Sequence, residues 1–464
     1  MTGAVSASHV VGESHQELAH SLQPRHVTMI SLGGIIGAGI FVGSSAAILI
    51  AGPSVLLTYM MCGTLVFVIM RMLGEMAIAR PGVGTFTGYT RLGLGPWAGF
   101  VTGWLYFYFW VVTIAVEAIA GAAIMAPFVP LPQWFLGAVL INVTTAINLL
   151  SVRAYGEAEF WFAALKVATI TGFILLGAAY VFGFGPGLPT IAAQFTDHGG
   201  FFPNGWGAVF TAIPVVIFSM MGSEVATIAA VETEHPAQNV VRAARTVTMR
   251  ILFFYLGSIA VIVSIVPWNE IVAGQSPFAD AMSRVHISGA GPLMSLVVFT
   301  AVTSCLNSAI YVTSRMLYEM AERDDAPALF ARVSSRKVPM LAILVSSVAG
   351  LAMVLVSVIS PEKAFVFLLQ SSGAIILCVY LLIALSQIAL RRRLEAAGEE
   401  PTVKVWLFPY VSYALVAGIL AVLALMASVP DLREQVGLSA LLFAGALIAF
   451  WLRRRVVRRQ EAQA

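Results

Sequence analysis

The sequence predicts an all-α integral membrane protein of twelve transmembrane helices, organised as two five-helix halves plus two further helices, with the first and sixth helices broken. Three observations lead there. Of 464 residues, 59% are hydrophobic and only 11% charged, with a mean hydropathy of +0.90, whereas a soluble domain carries roughly 25% charged residues. Twelve apolar stretches are each about the length that crosses a hydrocarbon core. Interruptions fall at corresponding places in the first and sixth of them, and paired discontinuous helices mark an inverted-repeat transporter with its site at the breaks.

The stretches run over 28–50, 54–79, 97–126, 133–151, 158–183, 206–231, 245–268, 291–317, 339–359, 363–390, 404–429 and 435–452. Apolar loops such as PFVPLP at 127–132 blur some edges. Residues 1–27 are polar and mixed, without an apolar core or a small-residue cleavage site, and read as a cytoplasmic tail. Orientation follows from lysine and arginine in the short loops. With the N-terminus inside, the inner segments hold Arg80, Arg91, Arg153, Arg242, Arg245, Arg323 to Lys337, Arg391 to Lys404, and a tail with Arg453, Arg454, Arg455, Arg458 and Arg459. Of 26 lysines and arginines, the outer loops hold Arg284, Lys363 and Arg433. Both termini are therefore expected in the cytoplasm, and the arginine-rich tail is read as topology retention, not as a nucleic-acid-binding segment.

Several function classes find no support. Cys62, Cys305 and Cys378 lie in apolar runs at unrelated spacings and suggest neither a metal site nor a disulfide. His9, His15, His20 and His26 belong to the N-terminal segment, and His198, His235 and His286 to loops. No nucleophile–base or metal constellation of an enzyme emerges, and no cofactor is expected. A repeated filter or charge ring, as in a channel, is also missing from the sequence.

The first stretch contains SLGGIIGAGIFVGSS at 31–45, with five glycines. Each glycine weakens a helix by about 1 kcal/mol relative to alanine. Gly33 with Gly37 and Gly39 with Gly43 form two GxxxG pairs suited to close packing, but five glycines exceed the need of one contact face. Unwinding at Gly37-Ala38-Gly39 would leave amides unpaired at mid-membrane, which is tolerated where they line a cavity or are buried in protein. Such amides bind a carboxylate well. In the sixth stretch the interruptions are Pro214 and Gly222-Ser223.

Ionisable groups at bilayer depth point to function. Lys166 lies about nine residues into the fifth stretch, roughly 13–14 Å deep, where it is a candidate for taking up and releasing a proton or for a static tie to helix-end carbonyls. Glu117, inside the third stretch, suits either a structural hydrogen bond or contact with substrate or proton. Glu224 follows Gly222-Ser223, so Ser223 could cap a half-helix there and favour the carboxylate; a gating role is the alternative. Ser304, Ser308, Tyr311 and Arg315 fall on one face of the eighth helix, and the upper part of that stripe could face Lys166.

GGIIGAGIFVGSS with AGP at 51–53 resembles the first-span signature of the amino acid–polyamine–organocation transporters. RMLGEMAIARPGVGTFTGY (71–89), GEAEFWFAALKV (156–167), GSEVATIAAVETEHP (222–236), RILFFYLGS (250–258) and SCLNSAIYVTSRMLYEMA (304–321) are similar to its bacterial amino-acid permease branch, and within it to the GABA permeases. The resemblance runs from about residue 24 to about 450. It implies a LeuT-type 5+5 inverted repeat: a ten-helix core over 28–390, with repeats of about 28–183 and 206–390, and peripheral helices eleven and twelve plus the basic tail over 391–464. It further implies symport of a zwitterionic amino acid with a proton as coupling ion, in a bacterial inner membrane. On the matching positions, Gly37-Ala38-Gly39 would receive the carboxylate and Lys166 would stand at the ion position. Backbone carbonyls of Ile35 and of the Phe218-Ser219-Met220-Met221 turn would meet the amino group, and Phe218 would be the aromatic gate. The expected substrate is 4-aminobutyrate (GABA) or a close analogue.

Gly-Ala-Gly is equally the pattern of α-amino-acid carriers in the branch. A γ-amino acid carries its ammonium two methylenes further away, and Glu117 or an aromatic face from Tyr108, Trp110 or Phe218 could then accept it. A broader proton-coupled neutral α-amino-acid symporter and an amino-acid exchanger are the alternatives.

Overall fold

Hydrocarbon offers backbone groups no water, so a spanning chain must pair them within itself, and the helix does so along its own length. The structure, a computed structural model, describes residues 36–81, 83, 85–150, 152–184, 195–222, 224, 250–285, 287–335 and 338–461. Among these residues the regular elements are all helical. The first half contains α1 (Ala38–Phe41), α2 (Gly43–Ala51), α3 (Val55–Ala79), α4 (Phe86–Leu94), α5 (Pro96–Met125), α6 (Gln133–Leu150) and α7 (Val152–Ala179). Next come α8 (Gly207–Thr211), α9 (Ile213–Ser219), α10 (Gly257–Ile265), α11 (Pro277–Arg284), α12 (Ala290–Glu322), α13 (Met340–Leu355) and α14 (Pro361–Ala396). The chain continues through α15 (Tyr410–Ser428) and α16 (Pro430–Glu461).

Eight helical stretches among the described residues are long and apolar enough to cross a membrane, and Phe253–Ile265 and Met340–Leu355 are shorter apolar helices. The protein is thus a multi-pass membrane protein. Its first two expected spans are joined tightly, with only the 3-10 turn Gly52–Ser54 between α2 and α3. The tail at 1–27, the start of the first span through Ile35, and residues 225–249 of the sixth and seventh segments lie outside the described residues.

α5 is the central post. It packs against α12, α14, α4, α6 and α13, and 78% of its most apolar window is buried, against 22% for α15 and 17% for α16. The last two helices therefore flank the core and turn most of their apolar surface outward, as Leu441, Ile448 and Trp451 do. Such exposure is expected of faces that meet lipid tails.

Charge separates to the two ends of α12, which at 33 residues spans about 50 Å. Beyond its C-terminal end, Asp325 pairs with Arg91 of α4 and, at 3.3 Å, with Arg453 of α16, while its carbonyl accepts from Trp104 Nε1 at 3.2 Å. Burial pushes the Asp325 carboxyl up, although Arg91, Arg453 and Arg323 pull the other way. Nearby, Arg323 meets Glu319 at 2.8 Å, and the Thr85 hydroxyl donates to the same carboxylate at 2.9 Å. Before the N-terminal end of α12, Arg284 pairs with Glu270 at 2.9 Å and Asp280 at 3.2 Å.

One close approach fixes the position of α14. A Cβ built on Gly373 would lie 1.9 Å from the Pro214 carbonyl oxygen in α9, and backbone cannot yield as a side-chain tip can. Gly373→Ala should therefore cost about 1–3 kcal/mol through overpacking, read as a lower melting midpoint in detergent. Gly418→Ala on α15, with open space around the site, should hold the midpoint or raise it, since alanine favours a helix by about 1 kcal/mol over glycine. Equal midpoints for the two variants would contradict the contact between α14 and α9.

Candidate functional site

Both expected breaks are present. Gly37 (φ −138°, ψ −148°) precedes α1, and Val42 (φ −125°, ψ −45°) separates the four-residue α1 from α2. In the sixth segment α9 ends at Ser219, the chain turns through Met220-Met221, and Gly222 takes the left-handed φ of +84° that glycine tolerates. Pro214 differs from expectation. It lies in the first turn of α9, where its missing N–H breaks no hydrogen bond. The ladder runs on from α8 through Ala212, whose N–H reaches Ala208 and whose carbonyl receives Val216 N, both at 3.1 Å. The sixth segment is therefore interrupted lightly at Ala212, just ahead of Pro214, and broken outright after Ser219.

The two breaks touch. A Cβ on Gly39 would lie 2.8 Å from Ser219 Cα and 3.2 Å from Phe218 Cδ1, so only glycine permits this approach. The rings of Phe218 and Phe109 lie 5.6 Å apart, and Tyr106 and Trp110 extend the cluster along α5. Tyr108 points instead to a partly exposed face of α5.

The amide of Ala38, expected to be open to a substrate carboxylate, already holds one. Its N–H donates to both carboxylate oxygens of Glu117, at 3.0 Å to Oε1 and 2.8 Å to Oε2. Glu117 is 1% exposed. The carboxylate and the Cys305 side chain fill the space where Gly37 would carry a Cβ, 2.4 Å from Glu117 Oε1 and 2.6 Å from Cys305 Sγ. A buried N–H without an acceptor costs about 1–3 kcal/mol, and the facing helix α5 supplies the acceptor.

Lys166 is buried on α7, with Nζ 3.7 Å from Glu159 Oε1. Glu159 is itself buried, and both of its oxygens accept from the Ser304 hydroxyl at 2.8 Å. The upper part of the α12 stripe thus reaches Lys166 through Glu159. Lower down, the Arg315 guanidinium stacks on the Tyr311 ring at 3.9 Å, while Ser308 is buried. The Cys305 side chain and the Glu117 carboxylate face the same spot beside Gly37, and Cys305 lies within electrostatic range of Lys166 and Glu159, which joins the two carboxylates and the lysine into one buried cluster. Sequence reading passed over Glu159. The usable signal was its place seven residues before Lys166, two turns back on the same face.

Glu224 belongs to a separate group. It accepts from the Tyr106 hydroxyl at 2.5 Å and from Gly222 N at 3.2 Å, and it attracts the buried Arg250. Ser223 lies outside the described residues, as does Ile35. Within the turn expected to meet an amino group, the Ser219 carbonyl accepts from Tyr255 at 2.7 Å, the Ser219 hydroxyl donates to Val216 O at 2.7 Å, and Met221 Sδ takes the Tyr380 hydroxyl at 3.1 Å. A carbonyl has two lone pairs, so Ser219 retains capacity for a second donor.

A cavity of about 860 Å³ opens at the end of the molecule that carries Glu270, Asp280, Arg284 and Glu362. Between its lining residues Pro277 and Ala279, Phe278 packs on Phe41 of α1 at 4.9 Å and on Phe173 of α7 at 4.7 Å. Gly274 N, also in its wall, donates to Ser45 Oγ of α2 at 3.1 Å. The cavity and the first-span break thus share a wall.

Comparison with known proteins fits this geometry. The family description for amino acid permeases matches residues 26–463. The γ-aminobutyric acid permease of Bacillus subtilis is 43% identical over 456 residues, covering 97% of this chain and 97% of that protein. The protein of the same name from Escherichia coli K12 is 44% identical over 442 residues, 94% of this chain and 95% of its own. An aromatic amino acid transport protein of Corynebacterium glutamicum is 37% identical over 431 residues, 92% and 93% of the two chains. Two broken helices meeting beside a buried lysine, in a chain matched almost end to end, make this protein a member of the amino acid permease family.

Proposed function

We propose that the protein imports 4-aminobutyrate or a close analogue together with a proton, across the inner membrane of a bacterium, on a twelve-span LeuT-type scaffold of two five-helix repeats. Its termini lie in the cytoplasm, and the cavity lined by Glu270, Asp280, Arg284 and Glu362 faces outward. The observation that carries the reading is the contact of the two breaks at Gly39 and Ser219 beside the buried Glu117–Lys166–Glu159 cluster. The naming of two relatives at 43–44% identity as γ-aminobutyric acid permeases supplies the substrate.

In this reading the carboxylate of the substrate docks on the amides of Gly37, Ala38 and Gly39. Its ammonium group lies among the carbonyls of Ile35 and the Phe218–Met221 turn and the rings of Phe109, Trp110 and Phe218, whose faces attract a cation. Lys166 carries the coupling proton. Gain or loss of that proton changes its hold on Glu159, and through Ser304 the change reaches α12. Glu224, held by Tyr106 and drawn to Arg250, closes the path on the far side of the breaks together with Gly222, where the chain bends. A proton moving with a zwitterion carries one net charge and gains about 2.3 kcal/mol per 100 mV. A neutral or aromatic α-amino-acid symporter is the second reading, favoured by the 37% identical aromatic amino acid transport protein; an exchanger would share the same site.

Proteoliposomes distinguish these readings. An inward proton gradient with an inside-negative potential should concentrate labelled 4-aminobutyrate, and sodium should add nothing. Excess phenylalanine or alanine competing better than 4-aminobutyrate would favour the second reading, while uptake that needs internal substrate and ignores voltage would indicate exchange. Lys166→Ala should lose concentrative uptake; retention of it would remove Lys166 from coupling.

The contact between breaks has its own test. Gly39→Ala pushes a Cβ into Ser219 Cα at 2.8 Å, whereas Gly43→Ala meets the tip of the Leu369 side chain at 3.3 Å and the Ala38 carbonyl oxygen at an ordinary contact distance of 3.4 Å. Substrate affinity should fall at least tenfold in the first variant and stay within about twofold in the second, by the rule that close packing tolerates a flexible neighbour and not backbone. Equal affinities would show that the two breaks need not touch.

A further inference from the structure

The carboxylate of Glu117 sits on the backbone amide where the proposed function, on which this inference rests, seats the carboxylate of the substrate. We propose that Glu117 is an internal placeholder: substrate binding exchanges one carboxylate for another on the Ala38 amide, and the released Glu117 becomes the counter-ion of a distant substrate ammonium group. This makes Glu117 the residue that selects amino acids whose two charges are well separated.

Three features support the exchange. First, Ala38 N–H engages both Glu117 oxygens, at 3.0 and 2.8 Å, in a seat closed on its other side by Cys305 and too small for any side chain at Gly37. A second carboxylate fits there only after the first has left, since like charges at contact repel strongly. Second, the displaced group has somewhere to go. Helical side chains lean toward the N-terminus of their helix, and Thr113 and Trp110, one and two turns toward that end of α5, share the face of Glu117. Trp110 belongs to the ring cluster with Phe109 and Phe218, so a pivot along α5 carries the carboxylate toward rings that favour a cation. Third, charge must balance in a buried site. A displaced carboxylate without a cation would be costly, and Lys166 is already engaged with Glu159 at 3.7 Å.

Ligand length then becomes the selecting quantity. With its carboxylate on Ala38, extended 4-aminobutyrate places its nitrogen roughly 5 Å away, from ordinary bond lengths. An α-amino acid keeps its ammonium beside the first-span backbone, roughly half as far off, and leaves the displaced Glu117 uncompensated. Butanoate, with no ammonium group, leaves it uncompensated as well.

The test compares the full-length wild type and Glu117→Gln in lipid nanodiscs, measuring affinities for 4-aminobutyrate, butanoate and alanine. The wild type should prefer 4-aminobutyrate to butanoate by at least 100-fold. In Glu117→Gln the seat loses its charged occupant and the ammonium loses its partner. Butanoate should bind at least tenfold more tightly and 4-aminobutyrate at least tenfold more weakly. A parallel fall for both ligands, or an unchanged ratio, overturns the placeholder, because a merely structural glutamate would move them together. Infrared difference spectra of the wild type with carboxylate-¹³C 4-aminobutyrate need no variant. A shifted carboxylate band from the protein, separate from the labelled ligand, is expected on binding, and binding without that shift overturns the exchange. Absence of binding by all three ligands to the wild type would instead overturn the first-span break as the substrate seat, and the placeholder with it.

Discussion

The N–H of Ala38 must have an acceptor. It lies where a transmembrane helix is interrupted, in a residue with no exposed surface, and an unmet donor there would cost about as much as the net gain of one or two ordinary hydrogen bonds. The carboxylate of Glu117, reaching across from the central helix α5, meets that demand. The arrangement then needs further support, because a buried carboxylate has requirements of its own. Cys305 packs beside it against Gly37, and Lys166 attracts it while holding Glu159, which the single hydroxyl of Ser304 orients through a forked hydrogen bond. One unwound turn thus places demands on three helices, α5, α7 and α12, and the set that results is both a structural closure and a site able to exchange a carboxylate and a proton.

Close backbone approach is the second element. Gly39 against Ser219 and Gly373 against Pro214 bring the first break, the sixth segment and α14 together with no side chain between them. Without such contacts the amides of the first span and the carbonyls of the sixth would stand too far apart to hold the two ends of one small zwitterion. The glycines remove helix propensity and volume at the same position, so unwinding and proximity share one cause.

Much of this was legible in the sequence where the signal was local. Helix-breaking glycines at 33–43, the lysine two turns and more inside an apolar run, and the basic bias of alternate loops are all short-range patterns, and the first two reappear as the break at Gly37 and the buried Lys166. What escaped was the pairing of groups from distant helices. The bond between Ala38 and Glu117 joins positions 79 residues apart, and helical periodicity gives the face of a residue but not its partner. Glu159 was readable from its seven-residue spacing to Lys166, but it stands at the edge of the apolar stretch, where a charge does not draw notice. Pro214 begins the second of two helical pieces, so its effect is a light interruption at Ala212 and not the outright break that follows Ser219. The aromatic wall of Tyr106, Phe109, Trp110 and Phe218 likewise depends on how α5 faces α9, which hydropathy does not specify.

A structure of the protein with 4-aminobutyrate bound tests the central claim most directly. The ligand carboxylate should lie within about 2.7–3.2 Å of Ala38 N, with Glu117 turned away from the amide and toward the ammonium group of the ligand. A bound ligand elsewhere, with the Glu117 carboxylate still on Ala38, would contradict it.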